Sequence, residues 1–218
     1  ILVIAAHPDD EVLGCGATMA KHVADGDEVH VLIVAEGLRS RGEASEAELK
    51  RLKDTAHKAN HLLGVKTVNF LELPDNRLDS IDRLDLIQKL EPFVGAQNPD
   101  LIYTHHECDL NVDHRRVHEA VFTACRPLPG AKLRSILLFE VASSTGWGSP
   151  GKGFSPNTFV DVSKTLVKKL QSLEVYESEM RPFPHARSVR ALEALARWRG
   201  ASVGVEAAEA FVLGRELR

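Results

Sequence analysis

Two short stretches of this chain concentrate the side chains that bind metals and move protons. The first is Ala6-His7-Pro8-Asp9-Asp10-Glu11; the second is His105-His106-Glu107-Cys108-Asp109-Leu110-Asn111-Val112-Asp113-His114. Three acids and an imidazole directly after an apolar run are costly to desolvate unless cations or donors compensate them. The alternative for the first stretch is a capping cluster, since Asp and Glu favour the first turn of a helix. Capping accounts for one or two acids and leaves the histidine unexplained. For the second stretch, the alternative is a helix-capping Asp113 with solvated histidines. Together, two ligand-rich loops can supply a His-Asp-His set with one open face, the three-ligand pattern of a catalytic zinc that keeps its fourth position for water.

Such loops work only if neighbouring strands bring them together. Residues 1–6 are a continuously apolar run, as in a parallel strand buried on both faces. Further strands are predicted at residues 28–34, 65–71, 100–104, 135–141 and 210–216. Helices are predicted at residues 13–24, 43–63 (closed by Gly64), 81–94, 113–125, 163–176 and 189–199. Residues 143–157 are rich in Gly, Ser and Pro and read as a long loop of the kind that often carries a binding role. Strands alternating with helices predict a three-layer, Rossmann-like α/β fold with a mostly parallel sheet, in a single domain spanning residues 1–218. In the order 3-2-1-4-5, strands one and four flank the crevice where strand order reverses, which places the metal site at their C-terminal ends.

Bulk properties narrow the function classes. A net charge of −4 argues against a nucleic-acid binder that works by neutralising phosphates. The longest apolar runs are too short to span a bilayer, and no basic or small-residue leader pattern precedes the first strand. Three unpaired cysteines, Cys15, Cys108 and Cys125, fit a reducing compartment. The expectation is a cytoplasmic protein with no membrane span.

Ala6-His7-Pro8-Asp9-Asp10-Glu11 followed by Asp113-His114 resembles the signature of the PIG-L/LmbE-like deacetylases. Arg51 with Asp54 and Leu63-Gly64, then Leu73-Pro74-Asp75, resemble further family positions. Ser143-Ser144-Thr145, Phe183-Pro184-His185-Ala186-Arg187-Ser188 and Ala208-Glu209-Ala210-Phe211 are similar to motifs of its bacterial sugar-processing branch. The resemblance implies His7, Asp10 and His114 as metal ligands, Asp9 as general base, Asp113 as the acid beside the ligand histidine, and Arg51 as a substrate contact. Some relatives carry a histidine where this chain has Asn111, an amide that donates a hydrogen bond but no proton. His105, His106 and His185 remain as alternatives for protonating the leaving amine, with His185 also a candidate substrate contact. Glu11 is expected to orient the loop. The implied cofactor is Zn2+, although the ligand types also admit Fe2+ and Co2+. The implied partner is an amino sugar of the N-acetylglucosamine type or its conjugate, acted on by a homo-oligomer.

Amide hydrolysis suits these residue types. Zinc lowers the pKa of water to about 7 and polarises the acyl oxygen, and Asp9, next to Asp10, can take the proton. Three readings compete: hydrolysis of a different amide or thiol-sugar conjugate, a non-haem iron site built on two histidines and a carboxylate, and a metal-binding protein without catalysis. Gly14-Cys15-Gly16 resembles half of a dinucleotide fingerprint, but Met19 replaces its third glycine and three acids precede it. These glycines are expected to let the first helix pack closely on the sheet.

Overall fold

The computed structural model describes residues 1–148 and 153–218, with the side chain of Arg41 also outside the description. The strands are β1 (Leu2–Ala5), β2 (His30–Ala35), β3 (Thr67–Leu73), β4 (Leu101–His105), β5 (Ser135–Phe139), β6 (Thr158–Asp161) and β7 (Ala208–Glu216). They form one sheet in the order β3-β2-β1-β4-β5-β7-β6. β1 to β5 are mutually parallel, whereas β7 runs antiparallel to both β5 and β6. The helices are α1 (Asp10–Ala24), α2 (Glu46–Leu63), α3 (Arg83–Gln97), α4 (Val112–Ala124), α5 (Leu166–Val175) and α6 (Val189–Ala201). No helix among the described residues is long and apolar enough to cross a membrane.

The α/β class and the order 3-2-1-4-5 match the expectation, and the one missing element is β6. Its four residues are half-buried or exposed at the sheet edge, so neither length nor alternation marks them. Of the predicted 143–157 loop, residues 149–152 lie outside the described residues.

The unbroken apolar run of β1 follows from its central place. Val3 and Ala5 face a core shared with α1, α2 and α5, through residues such as Met19, Leu52, Ala56 and Leu173. Leu2, Ile4 and Ala6 face the opposite core, with Leu86 and Leu90 of α3 and Val117 and Val121 of α4. Alternate residues thus enter different layers, each large side chain contributing about 2 kcal/mol by burial. Side chains that leave β1 at its end emerge between two packed helical layers.

α1 begins immediately at that end and is not continuous. Cys15 breaks it, with φ −146° and ψ 25°. In an intact helix the Ala17 amide would donate to the Leu13 carbonyl. Instead Glu209 of β7 accepts from the amides of Ala17 (3.2 Å) and Thr18 (2.6 Å). Lys169 of α5 donates to the Leu13 carbonyl (2.8 Å) and to Glu209 (2.5 Å). One buried ion pair therefore serves the Ala17 and Thr18 amides and the Leu13 carbonyl around the break. The break lets α1 hug the sheet: a Cβ on Gly14 would overlap the Phe139 ring. Gly14 thus has the packing role expected of the Gly-x-Gly pair, whereas a Cβ on Gly16 would press on Val12 and on Lys169 of α5.

This arrangement predicts that Lys169→Met lowers the free energy of unfolding by about 3 kcal/mol, because Glu209 is left buried without its cation. Adding Glu209→Leu should not restore stability, since the Ala17 and Thr18 amides then lose their acceptors. Urea unfolding of both variants measures this.

Candidate metal centre

Reversal of strand order at β1 and β4 opens a crevice, and both acidic stretches enter it. The imidazoles of His7 and His114 converge on a single carboxylate oxygen. His7 Nδ1 and His114 Nε2 each lie 3.1 Å from Asp10 Oδ2, and the ligating atoms of the three residues all fall within 4.8 Å of one another. Around a tetrahedral zinc with bonds of 2.0–2.1 Å, donor atoms sit about 3.3 Å apart. Two imidazole nitrogens and a carboxylate at this spacing fit such an ion. All three residues line a cavity of about 100 Å3, which leaves one face of the set open.

Each ligand histidine is oriented through its other nitrogen, and here the structure revises the pairing. Asp113 precedes His114 in sequence but serves His7, whose Nε2 lies 3.0 Å from Asp113 Oδ2. The Asp113 carboxylate is held in turn by the amides of Asn76 (2.7 Å) and Leu78 (3.0 Å). Adjacent residues on a helix point about 100° apart, so Asp113 cannot face the ring beside it. His114 instead presents Nδ1 to Asp109 Oδ2 at 3.2 Å. Such carboxylate–histidine pairs fix ring orientation in metal sites. Asp75 Oδ1 is a further neighbour of His7 Nε2 at 3.3 Å, and its second oxygen accepts from the Ser40 amide and hydroxyl.

Charge explains the titration of the set. Burial works against the charge on His114, but Asp10 and Asp109 overcome it and raise its pKa to about 9. His7 is likewise raised: burial opposes, while Asp10, Asp113 and Asp75 accept from its ring. Burial alone would raise Asp10, yet the two histidines hold it well below the usual carboxylate range. Asp75 lies at about 2, its burial outweighed by hydrogen bonds from His7 and Ser40.

Asp9 lies at the cavity wall, 1 % exposed, with φ 115°. A non-glycine residue rarely holds such a backbone. Glu11 Oε2 accepts from its amide at 3.0 Å, and its carbonyl accepts from the amides of Val12 and Leu13. The orienting role expected of Glu11 is visible in that bond. Burial pushes the Asp9 pKa well up, and Arg187 partly opposes the shift. Arg187 pairs with Asp9 Oδ2, while Oδ1 is buried with no hydrogen-bond partner among the described residues.

Other expected residues fall elsewhere. His105 is fully buried, stacked on the His114 ring at 4.0 Å, with Nε2 accepting the Ala6 amide. Burial and the neighbouring His114 lower its pKa. It stands behind the metal set and is absent from the described cavity lining. His106 is also outside that lining, its Nδ1 accepting the Cys108 amide. His185 is exposed and accepts the Arg187 amide, so it shapes the turn while Arg187, two residues on, enters the site. Arg51 is exposed on α2, whose buried stripe is Leu49, Leu52, Ala56, Ala59, Asn60 and Leu63. It lines neither the cavity nor the adjoining groove among the described residues. Asn111 does line the cavity: its Oδ1 caps α4 at the Asp113 amide, and its Nδ2 donates to Asn76. Glu36 and Arg39 line a neighbouring groove of about 770 Å3 that shares Asp75 with the cavity. Trp147 is 72 % exposed and away from the cavity lining.

Comparisons with known proteins give the family of this chain. The model of the family described as "PIG-L: GlcNAc-PI de-N-acetylase" matches residues 2–125. An uncharacterized deacetylase, YaiS of Escherichia coli (strain K12), is 32 % identical over 190 residues, covering 82 % of this chain and 90 % of its own. The diacetylchitobiose deacetylase of Thermococcus kodakarensis is 30 % identical over 194 residues, covering 82 % and 69 %. Among solved structures, GalB, the 4-carboxy-2-hydroxymuconate hydratase of Pseudomonas putida KT2440, superposes with a TM-score of 0.77 at 21 % identity, covering 100 % of this chain and 96 % of its own. At that identity the likeness concerns the fold alone. The family match spans both β1 and β4 with the loops that follow them, and on that match and the relatives' identity the chain belongs to the PIG-L (LmbE-like) deacetylase family.

Proposed function

We propose that this chain is a metal-dependent hydrolase that removes the N-acetyl group from an amino sugar of the N-acetylglucosamine type or its conjugate. The observation that carries the reading is the His7–Asp10–His114 set opening on a cavity walled by Asp9. Deacetylation of diacetylchitobiose by a relative supports an acetamido sugar as the substrate class. The 770 Å3 groove beyond Asp75 offers room for the remainder of a conjugate. In this reading residues 1–218 act as one catalytic domain, within a homo-oligomer.

His7, Asp10 and His114 would hold the ion, Zn2+ in this reading, with Fe2+ or Co2+ also admitted by the ligand types, and would leave a position open to water. When bound, zinc supplies water ionised near neutral pH and a positive charge beside the acyl oxygen. Asp9 Oδ1 is unpartnered and buried, so it is free to accept a proton from the attacking water. Burial makes Asp9 a stronger base than an exposed aspartate. Arg187 holds the other oxygen and fixes the direction of the carboxylate. With His105 behind His114, His106 off the cavity and His185 on the surface, Asp9 also returns the proton to the departing amine. Asn111 contributes a wall amide rather than an acid. Arg51 and His185 have no part in substrate contact in this account.

The test is acetate release from a panel of N-acetylated amino sugars by zinc-loaded protein. Asp9→Asn should lower kcat by about 10^2- to 10^4-fold, the usual contribution of a general base, while zinc stoichiometry stays at wild type. Retained activity in Asp9→Asn would overturn the mechanism. Failure to release acetate from any sugar while zinc is bound would overturn the substrate class.

Metal uptake should depend steeply on pH. In the metal-free protein His114 is protonated below about 9, and a ligand must lose its proton to bind. The raised pKa therefore weakens binding as pH falls. Zinc affinity is expected to rise by about tenfold per pH unit for each proton displaced, from pH 6 upward, with the His114 contribution ending near pH 9. Competition with a chromophoric chelator across that range measures the slope.

A further inference from the structure

Asp9 owes its place to a network that reaches well outside the cavity. Glu11 is 0 % exposed, and its two oxygens have separate duties. Oε2 accepts the Asp9 amide, while Oε1 accepts from Asn60 Nδ2 at 2.8 Å and from the Tyr176 hydroxyl at 2.7 Å. Asn60 lies on α2, and Tyr176 follows α5 as its C-terminal cap. Both are 0 % exposed. Asn60 interrupts an otherwise apolar stripe of α2, a costly placement unless the amide has a partner. The Ser172 hydroxyl, donating to the Ala59 carbonyl at 2.9 Å, ties the two helices together beside this point.

We propose that Tyr176 and Asn60 are positioning residues for Asp9, acting through Glu11. This rests on the reading of Asp9 as the general base. The two donors hold Glu11 Oε1, which fixes where Oε2 can meet the Asp9 amide. That bond secures the unusual backbone at Asp9, and the backbone directs the carboxylate into the cavity. If the Tyr176 hydroxyl is removed, Glu11 gains freedom to rotate about its terminal torsion, a broad and soft one. The Asp9 amide then loses its fixed acceptor, while His7, Asp10 and His114 keep theirs.

Tyr176→Phe keeps the ring and removes only the hydroxyl. Tyr103→Phe is its control: Tyr103 is buried against Phe211, and its hydroxyl meets His22 Nε2 at 2.9 Å, outside this network. Two readouts are taken on the zinc-loaded proteins: hydrogen exchange of the Asp9 amide, and kcat and KM on the substrate class proposed above. Tyr176→Phe is expected to speed Asp9 amide exchange at least tenfold and to lower kcat about tenfold, with KM within twofold and zinc stoichiometry unchanged. Tyr103→Phe should change neither exchange at Asp9 nor kcat, even with a comparable loss in Tm. Asp9 exchange that stays at wild type in Tyr176→Phe overturns the proposal, as does faster exchange with unaltered kcat. Parallel losses in both variants, following Tm, also overturn it. If the wild type releases no acetate, the functional reading fails separately, and the exchange readout still decides whether Tyr176 positions Asp9. Asn60→Ala carries the same test should Tyr176→Phe not fold.

Discussion

The end of β1 concentrates more buried negative charge than a protein interior tolerates without compensation. Asp9, Asp10, Glu11, Asp75 and Asp113 are each at most 3 % exposed and are gathered around one strand end. Ionised carboxylates in such a setting demand partners or protons. The surrounding structure is the set of answers, a different one for each acid. Asp10 takes two imidazoles, Asp113 two backbone amides and a ring, Asp75 a serine, Asp9 an arginine, and Glu11 an amide and a phenol. A cation held by His7, Asp10 and His114 would complete the compensation from the solvent side.

These partners come from distant parts of the chain. The loop after β3 supplies Asp75 and Asn76, α2 supplies Asn60, α5 ends in Tyr176, and the turn before α6 supplies Arg187. Each element therefore has a polar duty at the site in addition to its apolar packing. The broken helix α1 shows the same logic on a smaller scale, with Glu209 and Lys169 answering the backbone groups around Cys15. Hydrogen-bonded buried groups confer rigidity, here around Asp9 with its unusual backbone.

The division of labour among the histidines follows from the same geometry. Three imidazoles crowd within one crevice, yet they have separate roles because their second nitrogens meet different atoms. His7 and His114 each find a carboxylate and present the other nitrogen to Asp10. His105 accepts a backbone amide, with Asp10 Oδ2 farther off at 3.7 Å, and lies stacked on His114. A neutral ring stacked behind a ligand supports its orientation without reaching the cavity.

Much of this was legible in the residues alone. A continuously apolar run over residues 1–6, with further strands alternating with helices, points to a covered parallel sheet, and two His/Asp-rich stretches after its central strands mark the crevice. What sequence proximity could not supply was pairing. Asp113 is chemically bonded to His114 yet orients His7, because neighbours on a helix diverge. His185 stood out as an imaginable catalyst, whereas Arg187, from the same motif, reaches Asp9. Asn60 left a faint trace as a polar residue on a buried helical stripe, and Tyr176 left none. The sequence by itself determined the layer order and that two His/Asp-rich stretches meet at the ends of β1 and β4, since these depend on local pattern and topology. Only the tertiary structure decided which acid serves which ring and which distant donors surround Asp9 and Glu11, because hydrogen bonds act over about 3 Å and a linear chain carries no such distances.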